Sequence, residues 1–271
     1  MTVENTPPVT VDIDQALATI ALSRASVSNA LDVATKEALI AAIRQVGSDN
    51  EVRAALLTAA GRNFCVGQDL GEHVEALRTD PLSAMDTVGA HYNPILQAVS
   101  ELSVPVVVAI RGACVGAGLG LALAGDIRVA GEGAKFATAF TGIGLASDSG
   151  LSHTLVHALG ASRASGLMLL GDRFDAADAL AWGLVHRVVA DAEVDTVARD
   201  LALQLAQGPT QAYRHVKQLL RATSPGLTEA LERERLAQER LGASSDHSSA
   251  VESFLAKSRR SSPVTDIPLQ F

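Results

Sequence analysis

The chain has 271 residues, of which 48% are hydrophobic and 3% aromatic, and its formal net charge at pH 7 is −8. This apolar content is enough for a substantial core, built mainly from small and aliphatic side chains. The negative net charge argues against nonspecific nucleic-acid binding. Residues 1–14 lack the apolar segment of a signal peptide, and apolar runs such as residues 104–110 are too short to span a bilayer. We therefore expect a cytoplasmic protein that binds neither nucleic acid nor membrane.

Short β-type runs alternate with helical segments over the first 208 residues. Apolar runs predict strands at residues 18–22, 54–58, 104–110 and 127–130, and helical spacing predicts helices at residues 34–46 and 119–124. The run at residues 104–110 is apolar at almost every position, which is typical of a strand covered on both faces. The alternation predicts an α/β layer architecture with right-handed crossovers.

Beyond residue 208 the pattern is helical only. Helices are predicted at residues 211–221, 227–241 and 248–258, with no strand between them. The Glu and Arg residues at helical spacing in residues 227–241 indicate a solvated face or a subunit contact. We therefore divide the chain into an α/β core, residues 1–208, and a helical C-terminal region, residues 209–271.

Two glycine-containing turns directly follow predicted strands. They are Phe64-Cys65-Val66-Gly67-Gln68-Asp69-Leu70 and Gly112-Ala113-Cys114-Val115-Gly116-Ala117-Gly118-Leu119-Gly120. Open α/β sheets bind ligands at the carboxyl ends of their strands, and N–H groups at a helix start attract negative charge. Neither turn has the spacing of a nucleotide phosphate loop, and each by itself is equally consistent with close packing of a helix on a strand. The two cysteines are expected to be reduced and buried, and no Cys/His cluster indicates a metal.

Together, the two turns resemble the crotonase (enoyl-CoA hydratase/isomerase) superfamily, whose signature has a Phe-Cys/Ser-Ala-Gly-X-Asp-Leu turn and a later Gly-Gly-Gly turn. Further matching segments follow in the same order along nearly the whole chain: Asn29-Ala30-Leu31, Gly125-Asp126-Ile127-Arg128, Trp182-Gly183-Leu184-Val185 and Phe254-Leu255-Ala256-Lys257. The resemblance implies the crotonase (ClpP-like) spiral of ββα units, with a helical C-terminal trimerisation region. It also implies a homotrimer or a dimer of trimers.

The resemblance further implies an acyl-CoA substrate, with no cofactor beyond the coenzyme A of that substrate. The main-chain amides of Gln68 and Ala117 would receive the thioester oxygen and stabilise an enolate. Because main-chain groups do this work, we expect the identity of the side chain at both positions to be loosely constrained. The implied CoA contacts come from the two turns and from two cationic side chains near the phosphates, Arg24 and, from a neighbouring subunit, Lys257. The full set is Arg24, Val66, Gly67, Gln68, Asp69, Leu70, Gly116, Ala117, Gly118 and Lys257.

The acid/base residues depart from the hydratase pattern. Hydratases of the superfamily use two glutamates, and alignment through the motifs puts Gly120 and Phe140 at those positions. Neither side chain transfers protons, so hydration would lose two groups that each typically contribute about 10²- to 10⁴-fold. A carboxylate remains at Asp148, in a segment similar to that of the ring-epoxide isomerases of phenylacetyl-CoA breakdown, although an aspartate at a helix start is often only an N-cap.

We therefore predict an enoyl-CoA or epoxide-CoA isomerase in which Asp148 is the single acid/base. An apolar pocket that includes Phe140 and Leu145 should raise the basicity of this carboxylate. Two alternatives stay open: a hydratase with an atypical acid such as Glu72 or Glu75, and a noncatalytic acyl-CoA-binding protein. Glu72, His73, Glu75 and His91 follow the first turn and are otherwise expected at the surface. The resemblance also extends to 4-chlorobenzoyl-CoA dehalogenases, but these rely on a tryptophan where this chain has phenylalanine.

Overall fold

The computed structural model describes residues 7–80 and 83–221, together with a few helical residues further on: Leu231, Arg235, Leu236, Gln238, Arg240, Leu241 and His247. Chain contacts separate Met1–Gly208 from Pro209–Phe271 as two compact units. The helix predicted at residues 248–258, and most of the one predicted at residues 227–241, lie outside the described residues. The C-terminal trimerisation region therefore stays a prediction.

The described residues form two β-sheets. The larger sheet has six strands in the order β1-β2-β3-β4-β6-β9, in which β1 and β2 are antiparallel and all other neighbours are parallel. The smaller sheet has the order β5-β7-β8. The strands are β1 (Val9–Asp14), β2 (Leu17–Leu22), β3 (Ala54–Ala59), β4 (Val106–Ile110), β5 (Ala113–Val115), β6 (Ile127–Gly131), β7 (Lys135–Ala137), β8 (Phe174–Asp175) and β9 (Arg187–Val189).

Helices of the first unit, residues 1–208, connect and cover these sheets, and α8 belongs to the second unit. Asp32 caps α1 by accepting a hydrogen bond from the Thr35 amide at 2.8 Å, and a π-helical turn, Val88–Tyr92, leads into α3. Gly160 interrupts the helical backbone of α5 with φ of 76°. The helices are α1 (Val33–Ser48), α2 (Leu70–Thr79), α3 (Asn93–Glu101), α4 (Ala117–Ala124), α5 (Leu151–Leu170), α6 (Ala176–Ala181), α7 (Val194–Ala206) and α8 (Thr210–Arg221).

The central strand β4 is buried along its whole length, as its continuous apolar sequence predicts. Val107 and Ala109 pack with the buried side of α7, including Ala198, while Val108 and Ile110 point into the larger core on the other face. An apolar strand covered on both faces is typical of a sheet flanked by helices. The α/β prediction is therefore confirmed.

A repeated strand–strand–helix order brings two turns to the same place. Strand β4 of the large sheet is followed by β5 of the small sheet and then by α4, and β6 is followed in the same way by β7. Cys65, after β3, forms an isolated parallel bridge with Cys114 in β5. The first glycine turn thus enters the same layer as β5, which sets it beside the second glycine turn.

The strands predicted at residues 18–22, 54–58, 104–110 and 127–130, and the helices predicted at residues 34–46, 119–124 and 211–221, are confirmed within about two residues at most ends. Strand β1 was not predicted because most of its side chains are partly or fully exposed. The strands of the small sheet have only two or three residues, too few to give a periodic pattern. None of the helices in the described part of the chain has the length and apolar character needed to cross a bilayer.

Candidate active site

The two glycine turns are joined by main-chain hydrogen bonds. The Cys65 amide donates to the Ala113 carbonyl at 3.1 Å, and the Val115 amide donates to the Cys65 carbonyl at 2.9 Å. A Cβ on Gly118 would lie 2.3 Å from the Cys65 oxygen, so only glycine permits this approach. Both cysteines are free and buried, as predicted, and burial raises the pKa of the Cys65 thiol to about 12. They pack the turns together and are poor nucleophiles.

The amides of Gln68 and Ala117 lie on facing parts of these turns. Gly67 has φ of 85°, and a Cβ there would lie only 3.2 Å from the Ala117 nitrogen. Leu31 holds the peptides on either side of Gln68: its amide donates to the Gly67 carbonyl at 2.8 Å, and its carbonyl accepts from the Asp69 amide at 3.1 Å. Ala117 is the first residue of α4. Among the described residues, neither the Gln68 nor the Ala117 amide donates a hydrogen bond, so both can serve a ligand oxygen.

Asp148 lies in a turn that packs directly on α4. A Cβ on Gly120 would lie 2.5 Å from both the Cβ and the carbonyl oxygen of Ser149, so the absence of a side chain at residue 120 lets this turn approach. Ser149 is buried, has φ of 52°, and donates from its hydroxyl to Asp148 Oδ1 at 2.7 Å. The N-cap of α5 is Gly150. The interpretation of Asp148 as a helix cap is therefore wrong.

The surroundings of Asp148 favour a basic carboxylate. Burial raises the pKa of Asp148 above its ordinary value, although the hydrogen bond from Ser149 lowers it in part. Phe140 is buried, and its ring lies beside the second turn, since a Cβ on Gly116 would be 3.9 Å from Phe140 Cζ. Burial is also the main cause that raises the pKa of Tyr92.

The Gln68 side chain is tightly held by hydrogen bonds. Its Oε1 accepts from the Tyr92 hydroxyl at 2.6 Å and from Lys36 Nζ at 3.1 Å. Its Nε2 donates to Glu72 Oε1 at 2.9 Å. Sequence analysis missed both Lys36 and Tyr92. The available signal was the position of Lys36 on α1, three residues before the buried Leu39 on the apolar face of the helix.

The charged residues after the first turn have mainly structural contacts. Glu72 is not a free surface group: its Oε1 pairs with Lys36 Nζ at 3.1 Å and its Oε2 accepts from the Val33 amide at 2.6 Å. Glu75 is exposed, as expected, with Arg78 at 3.8 Å. His73 is half-buried, and His91 is half-buried with its Nδ1 at 3.1 Å from Thr87 Oγ1.

The structure places Arg24 between two carboxylates. Its guanidinium pairs with Asp32 at 3.0 Å and with Asp69 at 3.1 Å, so a CoA phosphate would have to compete with both. Asp69 also caps α2 by accepting from the amides of Gly71 and Glu72. Burial alone would raise the pKa of Asp69, but the hydrogen bonds from Glu72 and Arg24 outweigh it and leave this pKa below its ordinary value.

Two more of the residues predicted to contact CoA, Val66 and Leu70, are accessible in the structure. Val66 lies on the wall of a pocket of about 550 Å³, together with Val115 and Phe136, and Leu70 is 64% exposed at the start of α2. Lys257 lies outside the described residues. Within the described part of the chain, no group of three or more His, Cys, Asp or Glu side chains is arranged to hold a metal ion. The roles of these residues toward CoA stay predictions.

The chain is similar to proteins of one known family. The family model for enoyl-CoA hydratase/isomerase matches residues 12–261. A probable enoyl-CoA hydratase of Rhodobacter capsulatus is 38% identical over 247 residues, covering 91% of this chain and 94% of its own. The 1,2-epoxyphenylacetyl-CoA isomerase of Escherichia coli is 36% identical over 250 residues, covering 90% of this chain and 94% of its own.

A solved structure is also similar. The crystal structure of a candidate enoyl-CoA hydratase/isomerase from Mycobacterium abscessus is 58% identical, has a TM-score of 0.90, and covers 92% of this chain and 96% of that one. The relatives are named both hydratase and isomerase, so their names support the family and leave the reaction open. The chain belongs to the enoyl-CoA hydratase/isomerase (crotonase) family, a family of enzymes that act on CoA thioesters.

Proposed function

We propose that this chain is an enoyl-CoA or epoxide-CoA isomerase that uses Asp148 as its single acid/base. The observation that carries the proposal is the docking of the Asp148–Ser149 turn on α4, the helix whose first amide, Ala117, faces the Gln68 turn. Asp148 is the carboxylate on this turn, and burial raises its pKa above the ordinary value. Among the relatives, the Escherichia coli protein named 1,2-epoxyphenylacetyl-CoA isomerase supports the same reaction class.

The mechanism for an enoyl-CoA follows from one base and one oxyanion site. The Asp148 carboxylate removes a proton from the γ- or α-carbon of the acyl chain, and the electron pair moves into a dienolate. The amides of Gln68 and Ala117 donate to the thioester oxygen as it gains negative charge, and one such donor is typically worth about 2.7–4 kcal/mol. The same carboxylate then returns the proton to the other carbon. The cycle needs no cofactor beyond the coenzyme A of the substrate.

A carboxylate with a raised pKa suits this proton shuttle. General bases work best when their pKa approaches the working pH, because a more basic group abstracts a carbon-bound proton more readily. Burial provides this for Asp148, and the Ser149 hydroxyl holds one of its oxygens. Oδ2 of Asp148 has no hydrogen bond to the described residues, so we assign proton transfer to Oδ2.

The hydratase alternative is supported by the name of the Rhodobacter capsulatus relative, but it needs a second acid. Glu72 would have to leave Lys36 and the Val33 amide, and Glu75 is exposed. We expect no more than trace addition of water to crotonyl-CoA. Hydration at a rate comparable to isomerisation would establish the alternative instead. A noncatalytic binding protein would take up acyl-CoA without exchanging its α- or γ-protons with deuterated water.

The decisive test is the conversion of a 3-enoyl-CoA to its 2-enoyl isomer by Asp148→Asn. Loss of a general acid/base typically costs about 10²- to 10⁴-fold, and we expect that loss in kcat with little change in KM. Asp172→Asn is the matched control, because Asp172 is exposed, lies in the loop before β8, and its removal also deletes one carboxylate. An active Asp148→Asn protein would remove Asp148 from the mechanism.

We also propose assembly into a homotrimer or a dimer of trimers. Large apolar side chains are exposed at the end of α5 and near it: Leu169 is 73% exposed, Leu170 is 72% exposed and Ile143 is 61% exposed. Apolar groups clustered at the surface often mark a protein contact. Sedimentation equilibrium of the full chain tests the assembly, and a monomeric mass at micromolar concentration would contradict it.

A further inference from the structure

A buried ammonium lies beneath the first glycine turn. The Lys36 side chain is 0% exposed, and its Nζ contacts three oxygens: Thr87 Oγ1 at 2.8 Å, Gln68 Oε1 at 3.1 Å and Glu72 Oε1 at 3.1 Å. These contacts use all three donors of the ammonium. The charge also lies 5.3 Å from the centre of the Tyr92 ring, a favourable cation–π distance.

Such a group is costly to bury. A charge removed from water has to be repaid by its pairing, and replacing a whole buried ion pair by apolar side chains of similar size often gives equal or greater stability. Lys36 lies on the face of α1 that also carries Leu39 and Ile43, both buried in the apolar core. A methionine at residue 36 would suit this apolar face, but it would leave Glu72 Oε1 and Gln68 Oε1 without the ammonium, so Lys36→Met is expected to lower stability. Fold stability does not require a polar cluster at this place, since apolar side chains could replace the whole cluster.

The contacts of Lys36 converge on one side chain. Gln68 Oε1 accepts from both Lys36 and the Tyr92 hydroxyl, while Gln68 Nε2 donates to Glu72. This arrangement admits one orientation of the amide, because the reverse orientation would turn an NH₂ group toward the ammonium. The Gln68 side chain is thus clamped by α1, by α2 and by the π-helical turn.

We propose that Lys36 is a positioning residue that holds the Gln68 main-chain amide in the direction required to receive the thioester oxygen. This inference rests on the proposed use of Gln68 as an oxyanion donor. Leu31 holds each of the two peptides that flank Gln68 by one hydrogen bond, and the clamp anchors the side chain that branches from the Cα between them, so that neither peptide can tilt without breaking the clamp. A preorganised donor is far more effective than one that must reorient during the reaction.

The test uses a signal from the carbonyl group itself. Bound cinnamoyl-CoA, a conjugated thioester, absorbs at longer wavelength when its carbonyl oxygen is polarised by hydrogen bonds. The full-length wild type and Lys36→Met are compared for this red shift, for kcat and KM of isomerisation, and for thermal unfolding. We expect Lys36→Met to lose at least half of the red shift and at least tenfold in kcat, with KM changed by less than about threefold. Complete removal of one oxyanion donor costs about 10²-fold or more in kcat, and a displaced donor should cost part of that.

Two further variants make the test specific. Lys36→Arg keeps the charge and is expected to recover part of the red shift. Glu75→Gln removes a carboxylate from the same helix as Glu72, but from an exposed side chain whose partner is Arg78, and is expected to behave as wild type. If Lys36→Met does not fold, Tyr92→Phe removes the other donor to Gln68 Oε1 and is expected to reduce the red shift in the same direction.

The outcomes separate this inference from the proposed function. If Lys36→Met keeps the full red shift and wild-type kcat while its melting temperature changes, Lys36 is only structural and the inference is overturned. If Lys36→Met does not fold and Tyr92→Phe keeps the full red shift, the inference is overturned as well. If wild type shows the red shift but does not isomerise 3-enoyl-CoA, the proposed function fails, and loss of the red shift in Lys36→Met still supports the positioning role.

Discussion

Gly120→Ala is the substitution that most directly probes the docking of the catalytic turn. The new methyl group would lie 2.5 Å from Ser149 Cβ and 2.5 Å from the Ser149 carbonyl oxygen. Ordinary carbon contacts are about 3.5–4.0 Å, so roughly 1 Å has to be recovered by moving α4 or the Asp148–Ser149 turn. The contact with the Ser149 carbonyl oxygen is with the main chain, so a change of side-chain rotamer cannot relieve it.

Gly120→Ala is expected to lower activity while the protein stays folded. Overpacking typically costs about 1–3 kcal/mol, and alanine recovers up to about 1 kcal/mol relative to glycine inside a helix. A reacting group displaced by about 1 Å can lose about 10²-fold in rate, which corresponds to about 2.7 kcal/mol in the barrier. We therefore expect kcat for 3-enoyl-CoA isomerisation to fall about 10- to 100-fold in Gly120→Ala, in protein that remains folded at 25 °C.

Gly166→Ala is the matched control, because Gly166 lies inside α5 and a Cβ there would meet nothing within 4 Å. This control should keep full activity and be as stable as wild type or slightly more stable. The assay is the appearance of the conjugated 2-enoyl thioester, followed by its absorbance, with thermal unfolding measured in parallel. Wild-type kcat in Gly120→Ala would refute the argument that contact with residue 120 sets the position of Asp148.

Four further outcomes follow from the same geometry. Because burial raises the pKa of Asp148 and the base must be ionised, kcat/KM should fall on acidification with a midpoint above the ordinary value of 3.8. Ser149→Ala should move this midpoint to higher pH, because it removes the hydrogen bond that lowers the pKa of Asp148. A midpoint that moves to lower pH would contradict the assignment. A carboxyl group whose pKa is higher in the folded than in the unfolded state stabilises the fold at low pH, and this contribution is lost as the pH rises through the folded-state pKa. At pH 7 the Asp148→Asn protein should therefore melt at or above the wild-type melting temperature. A clearly lower melting temperature would contradict this. Gly67→Ala places a β-carbon at φ of 85° and 3.2 Å from the Ala117 nitrogen, so we expect about 1–3 kcal/mol lower stability together with a weaker red shift of bound cinnamoyl-CoA. Gly120→Glu should give no hydratase, because its Cβ meets the same obstruction from Ser149, and measurable hydration of crotonyl-CoA would refute this.

Much of the fold follows from local pattern. The apolar run that became β4 and the spacing that became α1 are visible because burial on one or both faces imposes a period on the sequence. The small sheet shows no such pattern, because strands as short as β8, with two residues, are held mainly by their neighbours. The two glycine turns were recognised from their motifs, since close main-chain approach tolerates few residue types.

The chain's local pattern was sufficient to predict an α/β core and two glycine turns that follow strands, and the resemblance to the crotonase superfamily added the pairing of these turns and the choice of Asp148. Only the tertiary structure revealed that Lys36 and Tyr92, distant in sequence, hold Gln68, that Glu72 is engaged in the same network, and that Ser149 fills the space beside Gly120. The physical reason is that a buried polar group is defined by its partners. Partners that come from different helices leave no common period or spacing in the sequence.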